Sequence, residues 1–593
     1  MSPNGARDWQ ESVDDVVSGG SGRARSALGQ LRGPETPRQF SPFVDDDLDR
    51  ATALASQMME IAEATPGPDG LSAALAEADG RMDGEVPGLV QYAVALFVTH
   101  FPPARDVTVF RPLEQRQPML VMPSAAAGPG ATPPEEALDY WREDPLLNEH
   151  HEHWHLVYPM RGRPGATLAI GDRHGELFAY MHQQMLARYD AERLSVDLPP
   201  VEPFADYRAT IPQGYDPGPL RYWDGAAWTT FRARPAGATI SDLAAPYTQR
   251  PGALVPRHEA FRDALFGAAR TGRFQLPQGP PVPVRIDNLG DTAEANVRTV
   301  DPQQQTYGNH HNDGHIHFMR FDNTPPNGVM ASTATAVRDP VFFRWHKQVD
   351  AVFRAFQDQQ PPYDFAADAP PVRLLGIEVS DLATEMLVRD LPVEDESGAR
   401  AEPIRYLSHD DFSYVFRAEN PTGADQDVTV RVFLAPETEC EDRTAWIEMD
   451  RFAWRVPAGE HIGEHTVERR ADASSVIRKP ALRPADLQSP SSSRADDQAW
   501  CDCGWPYTLL LPRGTAAGMP FRLLAMLSSG DDLAVPPQDH CTSISYCGLQ
   551  DTDYPDRRAM GYPFDRPFAT GIDATVAAHP NWFSLPVTIR HWA

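Results

Sequence analysis

The chain has 593 residues, with 53 Lys+Arg against 83 Asp+Glu and a formal net charge of −30. That balance excludes a nucleic-acid or anionic-membrane partner, because a polyanion is repelled at long range. With 41% hydrophobic and 9% aromatic residues, and no apolar run long enough to span a bilayer, the composition is that of a soluble multidomain protein rather than a fibre or pore.

The first twenty residues lack an apolar stretch of the Sec-signal type, so a cytoplasmic protein, or one released without such a signal, is expected. Residues 1–36 are rich in Gly, Ser, Arg and Asp without apolar periodicity and predict a disordered tail. Leu48, Ala51, Leu54, Met58 and Ile61, then Leu89, Val90, Ala93, Leu96 and Phe97, recur at helical spacing. This predicts a helical N-terminal domain over 37–135, ending in a Pro- and Gly-rich linker. Residues 136–372 hold two helix pairs around a Pro-rich middle. From 373 to 593 the pattern changes to period-two alternation, as in DFSYVFRAEN and DVTVRVFLA, which predicts strands. Helical, helical, then β implies three successive domains in a multidomain α+β chain.

Six of the 19 histidines repeat one arrangement. In NEHHEHWHLVYP, His151 and His155 are four apart and share a helix face. The following helix, GELFAYMHQQMLARYDAERL, sets His182 on an apolar stripe. In YGNHHNDGHIHF, His311 and His315 repeat the spacing, and RDPVFFRWHKQVDAVFRAF places His346 on a buried stripe behind an Asp339 N-cap and Pro340. Two helices per metal then give three neutral nitrogen ligands and leave coordination positions open. Imidazole-only ligation suits copper better than hard cations. Two such half-sites facing each other in a four-helix bundle would hold a pair of copper ions able to bind O2 between them.

A lone buried histidine is more often a hydrogen-bonded core residue than a ligand, and His150, His153, His174, His310 and His317 take that plain role. His151-Glu152-His153-Trp154-His155 also fits HExxH, the zinc-peptidase pattern with Glu152 as general base, but leaves the second set without a purpose. Of five cysteines, Cys501, Cys503, Cys541 and Cys547 cluster near the C-terminus, without the paired CxxC spacing of a zinc ribbon. Bridging Cys501 to Cys503 would be strained, so two structural disulfides joining 501/503 to 541/547 are expected, crossed or nested.

These histidine segments, together with QFSPF, CDCGWPYTLLLPRGTAAGMPF and SYCGLQDTDYPDRRAMGYPFDRP, resemble the arthropod hemocyanin and prophenoloxidase superfamily, nearer in motif to prophenoloxidase. The resemblance runs from about residue 38 to the C-terminus. It implies a helical first domain, a copper-bearing four-helix bundle and a C-terminal immunoglobulin-like β-barrel. It places copper A on His151, His155 and His182 and copper B on His311, His315 and His346. It also implies disulfides Cys501–Cys541 and Cys503–Cys547, and a phenylalanine at the substrate entrance above copper A, Phe43 by motif position with Phe40 as second choice.

Three departures from the family pattern stand out. Ser332 in GVMASTATAVRDP replaces the acidic residue proposed to take the phenol proton. Glu152 replaces an aromatic and is a candidate substitute base. The tail before Arg38 is shorter than the usual pro-segment. Asn312, beside His311, is a candidate for orienting a water or substrate hydroxyl, with helix packing as its plain alternative. The function expected from the resemblance is a type-3 copper phenoloxidase. It would use O2 to oxidise o-diphenols or o-aminophenols, and monophenols only weakly, to quinones. Its expected partner is a small phenolic molecule, with homo-oligomerisation compatible. The alternatives are an O2 carrier on the same copper site and, further off, an HExxH zinc peptidase.

Overall fold

The computed structural model describes residues 3–17, 39–82, 85–109, 111–123, 134–162, 168, 170–224, 227–243, 253–395, 398–458, 464–478, 481, 483, 504–532 and 556–592. The four clustered cysteines, Arg38 and most of the linker lie outside these residues, so both predicted disulfides do as well. Cys440 is buried and unbridged. No helix among the described residues is long and apolar enough to cross a membrane.

The predicted N-terminal tail is corrected at its start. Residues Pro3–Val17 form helix α1, with Trp9, Val13 and Val16 buried on one face. The Trp9 indole donates to Thr108 Oγ1 at 2.9 Å, and Gln10 exchanges two hydrogen bonds with the backbone of Val109. Three apolar side chains at helical spacing suffice because they close an existing core, although as an isolated segment their density is that of a disordered chain. That core is formed by α2 (Asp45–Ala64), α3 (Pro68–Arg81) and α4 (Pro87–His100). Acidic Asp45–Asp47 favour the positive N-terminus of α2, and prolines start α3 and α4.

The middle of the chain contributes α5 (Pro145–Val157), α6 (His174–Ser195), α7 (Val255–Thr271), α8 (Ile286–Ala293), α9 (His310–Met319) and α10 (Pro340–Gln357). Asp144 caps α5, accepting from the N–H groups of Leu146 and Leu147 at 2.8 and 3.0 Å. Asp339 caps α10 as the sequence predicts, accepting from Val341 N–H at 2.9 Å, and also pairs with the buried Arg234. Both caps fix where a ligand-bearing helix begins.

The C-terminal region is β1 (Arg373–Val379), β2 (Leu382–Asp395), β3 (Gly398–His409), β4 (Ser413–Glu419), β5 (Gln426–Pro436), β6 (Ile447–Val456), β7 (Glu464–Arg470), β8 (Met519–Ser529) and β9 (Trp582–Trp592). Alternate residues of β4 are buried, as its sequence predicts. Six strands form a sheet in the order β6-β5-β8-β9-β2-β3, and three form a second in the order β7-β4-β1. The larger sheet ends in β6 and β3, which are not paired with each other, so the expected closed barrel is instead a curled, open one. The cause is the long β2–β3 hairpin. Only Leu382 to Glu385 of β2 pair with β9, and the rest runs on to pack Leu391, Ile404 and Tyr406 against Met119, Val121 and Leu146. Glu114 pairs with Arg389 and accepts the Tyr406 hydroxyl there, pinning the hairpin to the segment leading into the bundle.

Three successive domains share only two main cores. α1–α4 enclose one, whereas the helices from α5 onward and the two sheets share a continuous second core that includes Phe43 from the N-terminal region.

Candidate metal centre

α5, α6, α9 and α10 turn His151, His155, His182, His311, His315 and His346 toward one another, every ring buried. His151, His155 and His182 each offer a nitrogen within 4.8 Å of the others, and so do His182, His311 and His346. The six rings are therefore one continuous cluster rather than two separate triads, with His182 common to both converging groups. His315 sits at its edge, 4.8 Å from His311 and 5.3 Å from His346 between ring centroids.

The tautomers follow from the partners. His151 Nδ1 lies 2.7 Å from Thr333 O, His182 Nδ1 2.8 Å from Phe178 O, His315 Nδ1 3.1 Å from Met330 O and His346 Nδ1 2.8 Å from Phe342 O. A carbonyl can only accept, so each Nδ1 carries the proton and each Nε2 presents a lone pair. The Nε2 atoms of His151, His155, His182 and His315 are buried without a protein partner. Those of His311 and His346 face each other at 3.1 Å. Buried orphan acceptors cost about 1–3 kcal/mol each, so a core that gathers several is built for a cation. Burial, the largest cause, holds His151, His182 and His311 down at about 3, and pushes His155, His315 and His346 well below their ordinary value, which keeps the donors neutral. Neutral, preoriented imidazole is the donor set copper takes.

The same shifts make the metal-free protein acid-sensitive. Between about pH 6.5 and about 3 the unfolded chain binds protons at His151, His182 and His311 that the folded chain refuses. Stability therefore falls with pH across that window, by ~1.4 kcal/mol per pH unit for each such group. Melting of the metal-free protein between pH 7 and pH 5 checks this, and His151→Phe with His182→Phe should make the fall shallower. An unchanged slope in that double variant would refute the assignment.

The other predicted site residues are placed as follows. Phe43 is fully buried and lies on the cluster, its ring stacked on His315 with centroids 3.7 Å apart and planes at 13°. It meets His155 and His311 edge-on at 6.3 and 6.0 Å. Phe43 therefore lies chiefly against His315 and His311, and of the three histidines expected to hold copper A only His155 is near it. Phe40 instead packs on Tyr92 at 5.3 Å, inside the helical core.

Glu152 is corrected as a base. Its carboxylate accepts from Arg116 at 2.6 Å, next to the buried Glu149–Arg478 pair, on the far side of α5. One residue advances a helix by about 100°, so a neighbour of His151 need not face the site, and the HExxH reading loses its base. Asn312 is likewise occupied: Oδ1 accepts from His311 Nδ1 at 2.9 Å and Nδ2 donates to Met160 Sδ at 3.3 Å. It holds a ligand ring rather than a substrate. Ser332 Oγ accepts from Ala334 N–H at 3.2 Å and stabilises the turn that carries the Thr333 carbonyl.

The carbonyls of Phe178, Met330, Thr333 and Phe342 were not legible in the sequence, since every residue has one. Of the histidines given plain roles, His174 pairs with the fully buried Glu294 at 2.6 Å, and His310 and His317 pack around His258.

Comparison with known proteins agrees with this geometry. Residues 108–353 match the copper-containing domain of hemocyanins, and residues 380–591 match the hemocyanin ig-like domain. The chain is 34% identical over 522 residues to phenoloxidase subunit 1 of Bombyx mori, covering 81% of this chain and 74% of the relative. It is 30% identical over 613 residues to the hemocyanin F chain of Aphonopelma sp., covering 94% and 93%. The crystal structure of a hemolymph-type prophenoloxidase from a crustacean superposes with a TM-score of 0.79 at 26% identity, covering 96% of this chain and 90% of that one.

Proposed function

Because this chain belongs to the hemocyanin and phenoloxidase family, whose copper-containing domain it carries, we propose that it is a phenoloxidase that oxidises o-diphenols with O2. The observation that carries the reading is the ring of Phe43 lying flat on His315. A planar aromatic ring is accommodated flat against a ligand imidazole there, which supports a phenol ring as an occupant of the same place.

His151, His155, His182, His311, His315 and His346 would hold two copper ions. Copper bound there supplies O2 binding and the acceptance of electrons from the phenol. The chain's own residues do the rest. Four main-chain carbonyls and Asn312 keep five ligand rings in one tautomer. Buried Phe342 and Phe178, 3.9 Å from His346 and 4.5 Å from His182, exclude water from the cluster. In the overall balance two o-diphenols lose two electrons and two protons each, and one O2 becomes two waters.

The second reading is an O2 carrier, favoured by the complete burial of Phe43 over the site and by the hemocyanin among its relatives. Copper-loaded protein mixed with 4-methylcatechol separates the two. Sustained oxygen uptake supports the oxidase, and reversible oxygenation without loss of catechol supports the carrier. The relatives' names as subunits and chains also support an oligomer, without distinguishing identical from different partners.

Diphenol oxidation should outpace monophenol hydroxylation. A monophenol must give up a proton to bind as phenolate, and a positioned base contributes ~10²–10⁴-fold. Ser332 is a hydroxyl committed to a turn, and Glu152 is held by Arg116. Dopamine is expected to turn over at least ~10²-fold faster than tyramine, Ser332→Glu should narrow the gap, and Glu152→Gln should leave it unchanged. Equal rates on the two substrates in the unmodified protein would overturn this.

A further inference from the structure

A cleft of about 490 Å³, counted to its open mouth, lies between α6, α10 and the β domain. The space in it for water-sized groups is about 30 Å³, enough for one or two such groups. It opens on the seam of the continuous core, away from the histidine cluster.

The polar groups around it are unequally satisfied. The donors are committed: Arg443 gives to Gln357, Phe564 O and Asp358 at 3.0, 3.0 and 2.7 Å, and Gln183 gives to Thr444 O at 2.8 Å. Glu176 is committed as well, accepting from Arg173 and from Met560 N–H at 2.7 and 2.8 Å. What is left over is acceptor. Asp350 is 5% exposed, lines the cleft and makes no hydrogen bond or ion pair among the described residues. Three cations act on it from a distance: Lys347 is spent on Asp190 at 2.8 Å, Arg354 on Asp442 at 3.7 Å, and Arg443 on the three acceptors just named. Asp565 accepts from Tyr363 and Arg566 through Oδ2, but its Oδ1 is buried without a partner. Burial, the main cause, raises both carboxyls from their ordinary range, so a cation seated in the cleft would have to recover their ionised form.

The missing group is therefore a compact, positively charged donor. A hard divalent ion does not fit, because it takes six or more oxygens and no three carboxylates converge among the described residues. Phe353, Trp446 and Phe564 line the same cleft, and aromatic faces suit an organic cation. We propose that this cleft binds a small primary ammonium group, with the –NH3⁺ head on Asp350, Asp565 as the neighbouring free acceptor, and the carbon body along the aromatic wall. Asp350 lies one helical turn beyond His346 on α10, and Gln183 follows His182 on α6, so an occupant braces the two helices that supply those ligands.

The test is calorimetric titration of the metal-free, full-length protein with methylammonium chloride at constant ionic strength. Failure then leaves the copper reading untouched. One site per chain is expected, and Asp350→Asn should weaken it about tenfold or more, the worth of a hydrogen bond to a charged group. Asp565→Asn, which keeps the buried shape, should also weaken it and serves if Asp350→Asn folds poorly. Tetramethylammonium, which has no N–H, should not compete. No methylammonium binding, undiminished binding in both variants, or binding of calcium in its place would overturn the proposal.

Discussion

His182→Ala is expected to reduce copper from two ions per chain to at most one and to take catechol turnover to background. Among the described residues, His182 is the one common to both converging groups of donors, so its loss opens both ends of the cluster at once. Removing only an outer partner of a metal ligand typically costs ~10–100-fold in affinity or activity, and removing a ligand shared by both groups should exceed that. Copper analysis and oxygen uptake on one preparation provide the check. Two coppers per chain with activity within tenfold of the unmodified protein would sink the assignment.

Phe43→Ala has two expected effects of opposite sign. Truncating a fully buried phenylalanine costs ~3–5 kcal/mol, so the melting temperature should fall by several degrees. The same truncation clears the face of His315, and turnover of catechols, bulky ones above all, should rise about tenfold, a barrier change of ~1.4 kcal/mol. Copper content should be unchanged, because Phe43 offers no ligand. A drop in melting temperature without any gain in turnover would leave Phe43 as packing between the N-terminal helices and the bundle.

The ligand set was legible because its signal is local. His151/His155 and His311/His315 share a face by helical spacing alone, and His182 and His346 announce themselves by interrupting apolar stripes. The Asp339 cap was legible for the same reason. What escaped depends on partners distant in sequence. Glu152 reads as a base until Arg116, 36 residues earlier, claims it. The α1 helix escaped because Trp9 is satisfied by Thr108, 99 residues away. The open sheet escaped because period-two alternation reports which face of a strand is buried and says nothing about whether the last strand returns to the first. Phe43 was identified by resemblance, but its stacking on His315 is a matter of how the N-terminal core leans on the second one.

The anchoring of the ligand rings on main-chain oxygens has a consequence for how the site can vary over generations. Met330 and Thr333 serve His315 and His151 through atoms common to all amino acids, so the tautomers do not depend on which side chain stands there, although both side chains are buried and held by packing. What the lineage cannot change there is the path of the chain. One residue inserted or deleted between 328 and 339 would move two carbonyls off their imidazoles and shift the start of α10 together. Substitution there is limited by burial and by the paired Arg338 and Asp339, whereas insertion strikes the ligand rings directly.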